Sequence, residues 1–241
     1  MTERTDEVWK APSLTAAYLE GVRAAIPLAQ QQIDVMLRLI AARGQPVQSF
    51  LDIGCGDGVL SAAIIQRFPQ AHGVLIDFSK PMLDAAIKRF ANQSASLHLT
   101  NVDYGRRGWT QVVDHLGPYD AIVSGYSIHH QPDTRKREIY GEIFRLLRPG
   151  GIFINVEHVS SPSKWIAAVN DDLFIDHLHG GRKDMSRSEV AETYYYRPDK
   201  AANILAPVEL QCQWLRKAGF ADVDCYLKVF ELAVFGGRRP G

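Results

Sequence analysis

Phe50-Leu51-Asp52-Ile53-Gly54-Cys55-Gly56-Asp57-Gly58 is the stretch whose reading decides the fold. An apolar run, expected as a strand over Ser49–Ile53, enters three closely spaced glycines, and Val59–Arg67 then carries helical spacing. Glycine has no Cβ, so the backbone can turn tightly there and let a ligand lie against it. In open parallel sheets ligands bind outside the carboxyl ends of the strands. The next expected strand, Gly73–Asp77, ends in Ile76-Asp77, roughly 20 residues beyond the turn, where a carboxylate can accept hydrogen bonds from ribose hydroxyls. Gly58 follows Gly56 by two residues rather than three. That spacing, with Asp52 ahead of it, suits an adenosine with a cationic amino-acid tail better than a pyrophosphate.

Outward from this turn the alternation continues. A helix is expected over Lys80–Phe90, with Ser79 as N-cap and Pro81 in its first turn. A strand follows at Ser96–Thr100, a short helix at Trp109–Leu116 and a strand at Tyr119–Ser124. Thr134–Leu147 reads as a helix stopped by Pro149-Gly150-Gly151, and Gly151–Val156 as a fifth strand. Strands alternating with helices imply right-handed βαβ units and a parallel sheet covered on both faces. Upstream, Leu14–Ala42 has helical spacing, with Tyr18, Val22 and Met36 among its apolar positions; Pro27 predicts two helices or a kink. Downstream, residues 162–205 read as helical and irregular, too polar for a core of their own. A helix at Val208–Ala218, closed by Gly219, and one or two strands over Val223–Phe235 complete the chain.

The 241 residues suffice for one α/β domain without metal or disulfide staples. The formal net charge is zero, and the Arg135-Lys136-Arg137 cluster is followed by Glu138 and Glu142 on an expected helix surface, which disfavours nucleic acid as partner. Cys55, Cys212 and Cys225 fit no zinc spacing and read as thiols in a reducing compartment. The N-terminal residues lack the apolar core of a signal peptide, and no apolar run approaches the roughly 18 residues of a membrane span. The expectation is a cytoplasmic protein with no membrane partner.

Five motifs in order carry a family resemblance. Leu51–Gly58 resembles the first motif of class I S-adenosylmethionine (SAM)-dependent methyltransferases, and Ile76-Asp77-Phe78-Ser79-Lys80-Pro81-Met82 their second. Asn101-Val102-Asp103 resembles the third. Ser124-Gly125-Tyr126-Ser127-Ile128-His129-His130 resembles the fourth-strand motif of the small-molecule branch, and Leu146-Leu147-Arg148-Pro149-Gly150-Gly151 the turn before strand five. The resemblance covers about residues 48–158 and implies a Rossmann-like, mostly parallel seven-stranded sheet with helices on both faces, N-terminal helices and a helical insertion after strand five. It implies one domain over 1–241, with a helical cap at 1–45, a SAM-binding core at 46–158, a substrate or lid insertion at 159–206 and a last helix and strands at 207–241.

The same resemblance implies site roles. Gly54 and Gly56 would approach the methionine moiety, and Asp52 would orient its amino group. Asp77 would take the ribose hydroxyls, and Asp103 the adenine amine with Val102 beside the ring. Phe78 and Met82 would pack on adenine, Ser124 and Tyr126 would line the floor near the sulfonium, and Tyr18 would be a lid contact. S-adenosylhomocysteine (SAH) would be the product and a small molecule the methyl acceptor.

His129 and His130 stand where the methyl group should point, and a neutral imidazole can accept an acceptor proton. Structural use of either ring in the loop is the competing reading. Glu157 and His158 end strand five on the same rim and are candidate substrate contacts, with Tyr195 and Arg197 from the insertion. Asp172, Asp176 and His179 have one-face helical spacing, near His177. Carboxylates and imidazoles so placed can hold a divalent metal, but a solvent-facing polar helix is the favoured reading and no metal is expected. Of Tyr194, Tyr195 and Tyr196 at most two can face one way. Arg182, Lys183, Arg187 and Arg197 are candidate partners for an acceptor carboxylate. The alternatives to methyl transfer are a carboxylated-SAM-forming enzyme, an NAD-dependent oxidoreductase, which the glycine spacing and Asp103 oppose, and a SAM-binding regulatory protein without catalysis. The N-terminal helices could serve as a homodimer surface.

Overall fold

The structure, a computed structural model, describes residues 5–22, 25–93 and 96–241. Its strands are β1 (Ser49–Ile53), β2 (His72–Asp77), β3 (Leu97–Asn101), β4 (Tyr119–Gly125), β5 (Leu147–His158), β6 (Ala221–Val229) and β7 (Leu232–Arg238). They form one seven-stranded sheet in the order β3-β2-β1-β4-β5-β7-β6. The first five are parallel, and β7 runs antiparallel between β5 and β6. The chain moves outward from β1 to β3 on one side and from β4 to β5 on the other. This reversal opens a crevice beyond the carboxyl ends of β1 and β4.

The inner strands β1, β4, β5 and β7 are largely apolar because both faces are covered, whereas the edge strands β3 and β6 are partly exposed and carry polar residues such as His98, Thr100, Asp222 and Asp224. Successive residues alternate between two cores, as the pleat requires. Phe50, Ala121, Val123, Ile152 and Ile154 face a layer built from α2 (Ala29–Ala41), α3 (Val59–Arg67) and α4 (Lys80–Phe90). Leu51, Ile53, Ile122 and Phe153 face α5 (Asp133–Leu146) and α8 (Val208–Ala218). α2 shows the same logic in helical period, burying Gln32, Met36 and Ile40 on one stripe.

The N-terminal run is broken as Pro27 predicts. A 3-10 turn at Thr5–Lys10 and α1 (Pro12–Ala17) lead into a π-turn at Tyr18–Val22, and α2 starts only at Ala29. The expected helix also crosses residues 23–24, and Val22 has an undescribed side chain, so those parts of the reading lie outside the described residues, as do residues 1–4. After β5 come α6 (Lys164–Gly180), α7 (Arg187–Val190), a π-turn at Ala191–Tyr195 and a 3-10 turn at Pro198–Ala202. Leu178 and Val190 share a small apolar cluster with Ala25 of the N-terminal segment.

Three expectations need correction. Trp109–Leu116 is two 3-10 turns instead of one helix, Trp109–Val112 and Asp114–Leu116, separated by Val113, whose φ of −122° leaves the helical region. β5 begins at Leu147, directly after α5, so Pro149-Gly150-Gly151 lies within the strand's irregular start. Gly150 adopts φ +77° there, and the register with β4 shifts between Tyr119 and Ala121. Arg135 and Lys136 are not surface cations. Arg135 is buried against Glu142 at 2.8 Å, and Lys136 is fully buried between Asp133 and the Ile204 carbonyl.

Candidate functional site

A cleft opens at the carboxyl ends of β1, β2 and β4, under the N-terminal segment and the insertion. The space between its walls, open mouth and adjoining solvent included, is about 1490 Å³.

Its floor is the glycine turn. Gly54, Gly56 and Gly58 all have left-handed φ, at +64°, +56° and +81°. A Cβ on Gly54 would sit 1.9 Å from Ser127 Oγ, so the β1 turn and the loop after β4 approach through a gap only glycine allows. Asp52 is buried beneath, accepting from Ser61 Oγ at 2.6 Å, and its residue lines the cleft.

Asp77, at the end of β2, is 6% exposed. Its Oδ2 accepts the Gly56 N–H at 2.8 Å and its Oδ1 the Ser79 N–H at 2.7 Å. Burial pushes its carboxyl up to about 6, partly offset by those N–H groups. This carboxylate braces the glycine turn and lines the cleft, and no Lys, Arg or His among the described residues forms an ion pair with it. It therefore offers acceptor oxygen to a ligand hydroxyl. Ser79 caps α4 through Met82 N at 3.4 Å and donates its hydroxyl to the Trp9 carbonyl at 2.6 Å, which ties the N-terminal segment over this end. Phe78 and Met82 line the same end.

At the other end stand three imidazoles. β4 runs out through Tyr126, a non-glycine residue at φ +51° held by its N–H to the Val156 carbonyl and its hydroxyl to Gln32 Oε1 at 2.6 Å. A 3-10 turn, Ile128–His130, then presents His129 and His130 to the cleft. Glu157 on β5 is completely buried behind His129. Its Oε1 lies 2.6 Å from His129 Nδ1, and it also accepts the backbone N–H groups of His129 and His158, at 3.0 and 2.9 Å. A carboxylate only accepts, so Nδ1 carries the proton and Nε2 is left as an acceptor. His130 Nδ1 donates to the Ala202 carbonyl at 3.2 Å, and burial, with His129 beside it, holds His130 well below the usual imidazole range. His158 lines the cleft with Nε2 2.8 Å from Glu231 Oε2.

The expected site residues divide accordingly. Tyr18, Asp52, Gly54, Gly56, Asp77, Phe78, Met82, Tyr126, His129, His130, His158, Tyr195 and Arg197 line the one cleft. Ser124, Val102, Asp103 and Glu157 do not. Ser124 is buried and donates to the Ile53 carbonyl at 2.8 Å, so it joins β4 to β1. Val102 belongs to the core, and Asp103 accepts from Gly105 N at 3.0 Å and Arg106 Nε at 3.1 Å outside the lining. Glu157 is completely buried outside the lining, bonded to His129 Nδ1. Asp172 and Asp176 do share a face of α6, but it is an exposed face, paired with Arg187 at 2.8 and 2.7 Å. His177 and His179 bond backbone carbonyls of Leu173 and Met185. Tyr194 and Tyr195 line the cleft, and Tyr196 is exposed. Arg182 is held by the Leu178 carbonyl and stacks over Tyr194 at 4.0 Å. Trp9, Gln32, Lys200 and Asn203 also line the cleft and were not anticipated. Gln32 alone left a signal, as a polar residue on the apolar stripe of α2.

Residues 50–151 match the family described as a methyltransferase domain. A methyltransferase of Mycobacterium tuberculosis is 36% identical over 127 residues, 53% of this chain and 58% of that protein. The chain thus spans 58% of the length of the first curated relatives it matches. A demethylmenaquinone methyltransferase of Clavibacter sepedonicus is 27% identical over 222 residues, 89% of this chain and 85% of that protein. Among solved structures, an O-methyltransferase family protein from Burkholderia thailandensis superposes with a TM-score of 0.64 at 19% identity, covering 89% of this chain and 57% of that one.

Proposed function

We propose that this chain, whose residues 50–151 match a methyltransferase domain, is a class I SAM-dependent methyltransferase and transfers the methyl group of SAM to a small-molecule acceptor by in-line displacement. SAM, when bound, supplies a methyl carbon activated on a sulfonium. The residues present suit that cofactor. A carboxylate beside a glycine turn, Asp77, offers acceptors to the ribose, and a second one, Asp52, offers negative charge to a cationic tail. Phe78 and Met82 supply apolar contact for the base.

The observation that carries the acceptor chemistry is the 2.6 Å bond between His129 Nδ1 and the buried Glu157. It fixes the tautomer, orients the ring and stabilises the imidazolium once a proton is taken. Nε2 of His129 takes the acceptor's proton as the acceptor attacks, and the rest of the cleft positions the partners and excludes water. An acceptor that must lose a proton, an O–H or an acidic C–H, matches this arrangement. The likeness to a demethylmenaquinone methyltransferase supports a small organic acceptor.

Calorimetric titration with SAM, SAH and NAD, followed by mass spectrometry of acceptor panels, tests the reading. Micromolar binding of SAM and SAH without NAD, and a methylated acceptor that His129→Ala fails to produce, is expected. A carboxylated SAM derivative as sole product would replace methyl transfer with the neighbouring chemistry. Binding without turnover on any panel would favour a regulatory protein.

A further inference from the structure

The opposite edge of the sheet carries a second cavity. It lies at the amino ends of β1 and β4, where β5 starts and β7 ends, and Arg43, Gln45, Gln48, Asp120, Arg148 and Arg238 line it. The space between its walls, adjoining solvent included, is about 880 Å³. It shares no lining residue with the cleft. Three guanidiniums reach it from separate elements. Arg43 follows α2, Arg148 stands in the irregular start of β5, and Arg238 ends β7 opposite Ile152.

One carboxylate in the lining serves two of these cations. Asp120 Oδ1 accepts Arg43 Nη2 at 2.9 Å and lies 3.3 Å from Arg148 Nη1. Its Oδ2 takes the backbone N–H groups of Gln48 and Ser49 at 2.8 and 3.0 Å, so both oxygens are committed. Arg238 pairs at 3.5 Å with Asp222, an exposed carboxylate outside the lining. No other Asp or Glu among the described residues forms an ion pair with the three. Three guanidiniums therefore face two carboxylates, an excess of one positive charge. The donors are in excess as well. The Arg43 side chain is 3% exposed and its Nε donates to the Gly150 carbonyl at 3.2 Å, but its Nη1 is buried without a hydrogen-bond partner, as is Arg238 Nε. A buried donor left unmade is costly, and two guanidiniums on one oxygen repel each other. A further anion relieves both. Arg148 and Arg238, with side chains 34% and 44% exposed, leave the site open to solvent. Donors on three separate side chains suit the several oxygens of a tetrahedral oxyanion, whereas a carboxylate offers two in one plane.

We infer that this second cavity is a binding site for a phosphate group, free or as the monoester of a small molecule, held by Arg43, Arg148 and Arg238. The inference is independent of the reading of the cleft. The test titrates the full chain, saturated with SAH and at fixed ionic strength, with inorganic phosphate, glycerol 3-phosphate and acetate in a calorimeter. A single saturable phosphate site is expected, at least about tenfold tighter than acetate. Tighter binding of glycerol 3-phosphate than of phosphate would identify a small ester as the source, and the reverse order the free ion. Arg148→Gln and Arg238→Gln, singly and together, are expected to weaken phosphate binding at least about tenfold and to leave SAH affinity within about twofold, because distant sites act independently. No saturable phosphate binding, acetate matching phosphate, or an affinity unchanged in the double variant would overturn the inference. Phosphate binding that SAH abolishes would place the ion in the cleft and overturn it too. Failure of SAH itself to bind bears on the SAM reading alone, and the same titration of the unliganded chain and its variants then decides this one. Far-UV circular dichroism on each variant separates lost recognition from lost fold, and the single variants serve if the double one unfolds.

Discussion

Asp77 braces the glycine turn with two backbone bonds and is the carboxylate we propose for the ribose. Asp77→Ala is expected to weaken SAM binding by about 1.5–3 kcal/mol, the range for hydrogen bonds to a charged group; an unchanged dissociation constant would remove the assignment. Because burial raises its carboxyl to about 6, protonation below that pH removes the charge the hydroxyls would bind. SAM affinity is therefore expected to be full above pH 6 and to fall as pH drops through it. The same raised value means that ionised Asp77 opposes folding, so its contribution to stability is greatest below about pH 3.8 and is lost as pH rises through 6. At His129 the prediction concerns tautomer. Glu157→Gln can present an amide N–H to Nδ1, which turns the ring's free nitrogen into a donor. Turnover is expected to drop by about 10²–10⁴ with SAM affinity retained, and equal kcat would make the pair structural. Both residues were legible in the sequence, yet the bond between them was not, because 28 positions separate partners that meet only when β4 and β5 pair.

At the scale of elements, the βαβ core was read almost to the residue. β1, α3 and α4 have the expected bounds because apolar period, the Ser79 cap and the glycines agree. The junction of α5 and β5 was misread because Pro149-Gly150-Gly151 is turn chemistry by composition, while the pairing of Leu147 with Tyr119 extends the strand behind it. Gly54 is the element-level test of the cofactor turn. Gly54→Ala would place a Cβ 1.9 Å from Ser127 Oγ at φ +64°. The backbone strain alone is about 1–2 kcal/mol, so a lower Tm and weaker SAM binding are expected together. Ser79→Ala removes both the α4 cap and the tie to Trp9. A loss of about 1 kcal/mol in chemical denaturation is expected from the cap, and a larger loss would assign weight to the N-terminal tie.

For the whole molecule, a ligand that binds only the folded state stabilises it by mass action. SAH at about 100 times its dissociation constant is expected to add about 2.7 kcal/mol and to raise Tm by roughly 5–10 °C, with NAD leaving Tm unmoved. Among the described residues no helix is long and apolar enough to cross a membrane. The sequence by itself determined the strand and helix alternation, the glycine turn and the carboxylate after β2, because each depends on contacts within a few residues of one another. Tertiary structure alone decided which polar residues face the cleft. It withdrew Ser124, Asp103 and Glu157 from the lining, turned the acidic face of α6 to solvent, and brought Trp9, Gln32 and Lys200 inward. Side-chain type records what a residue can bond, but the packing of distant segments over the sheet's carboxyl edge selects which bonds are made inside the protein and which are left for a ligand.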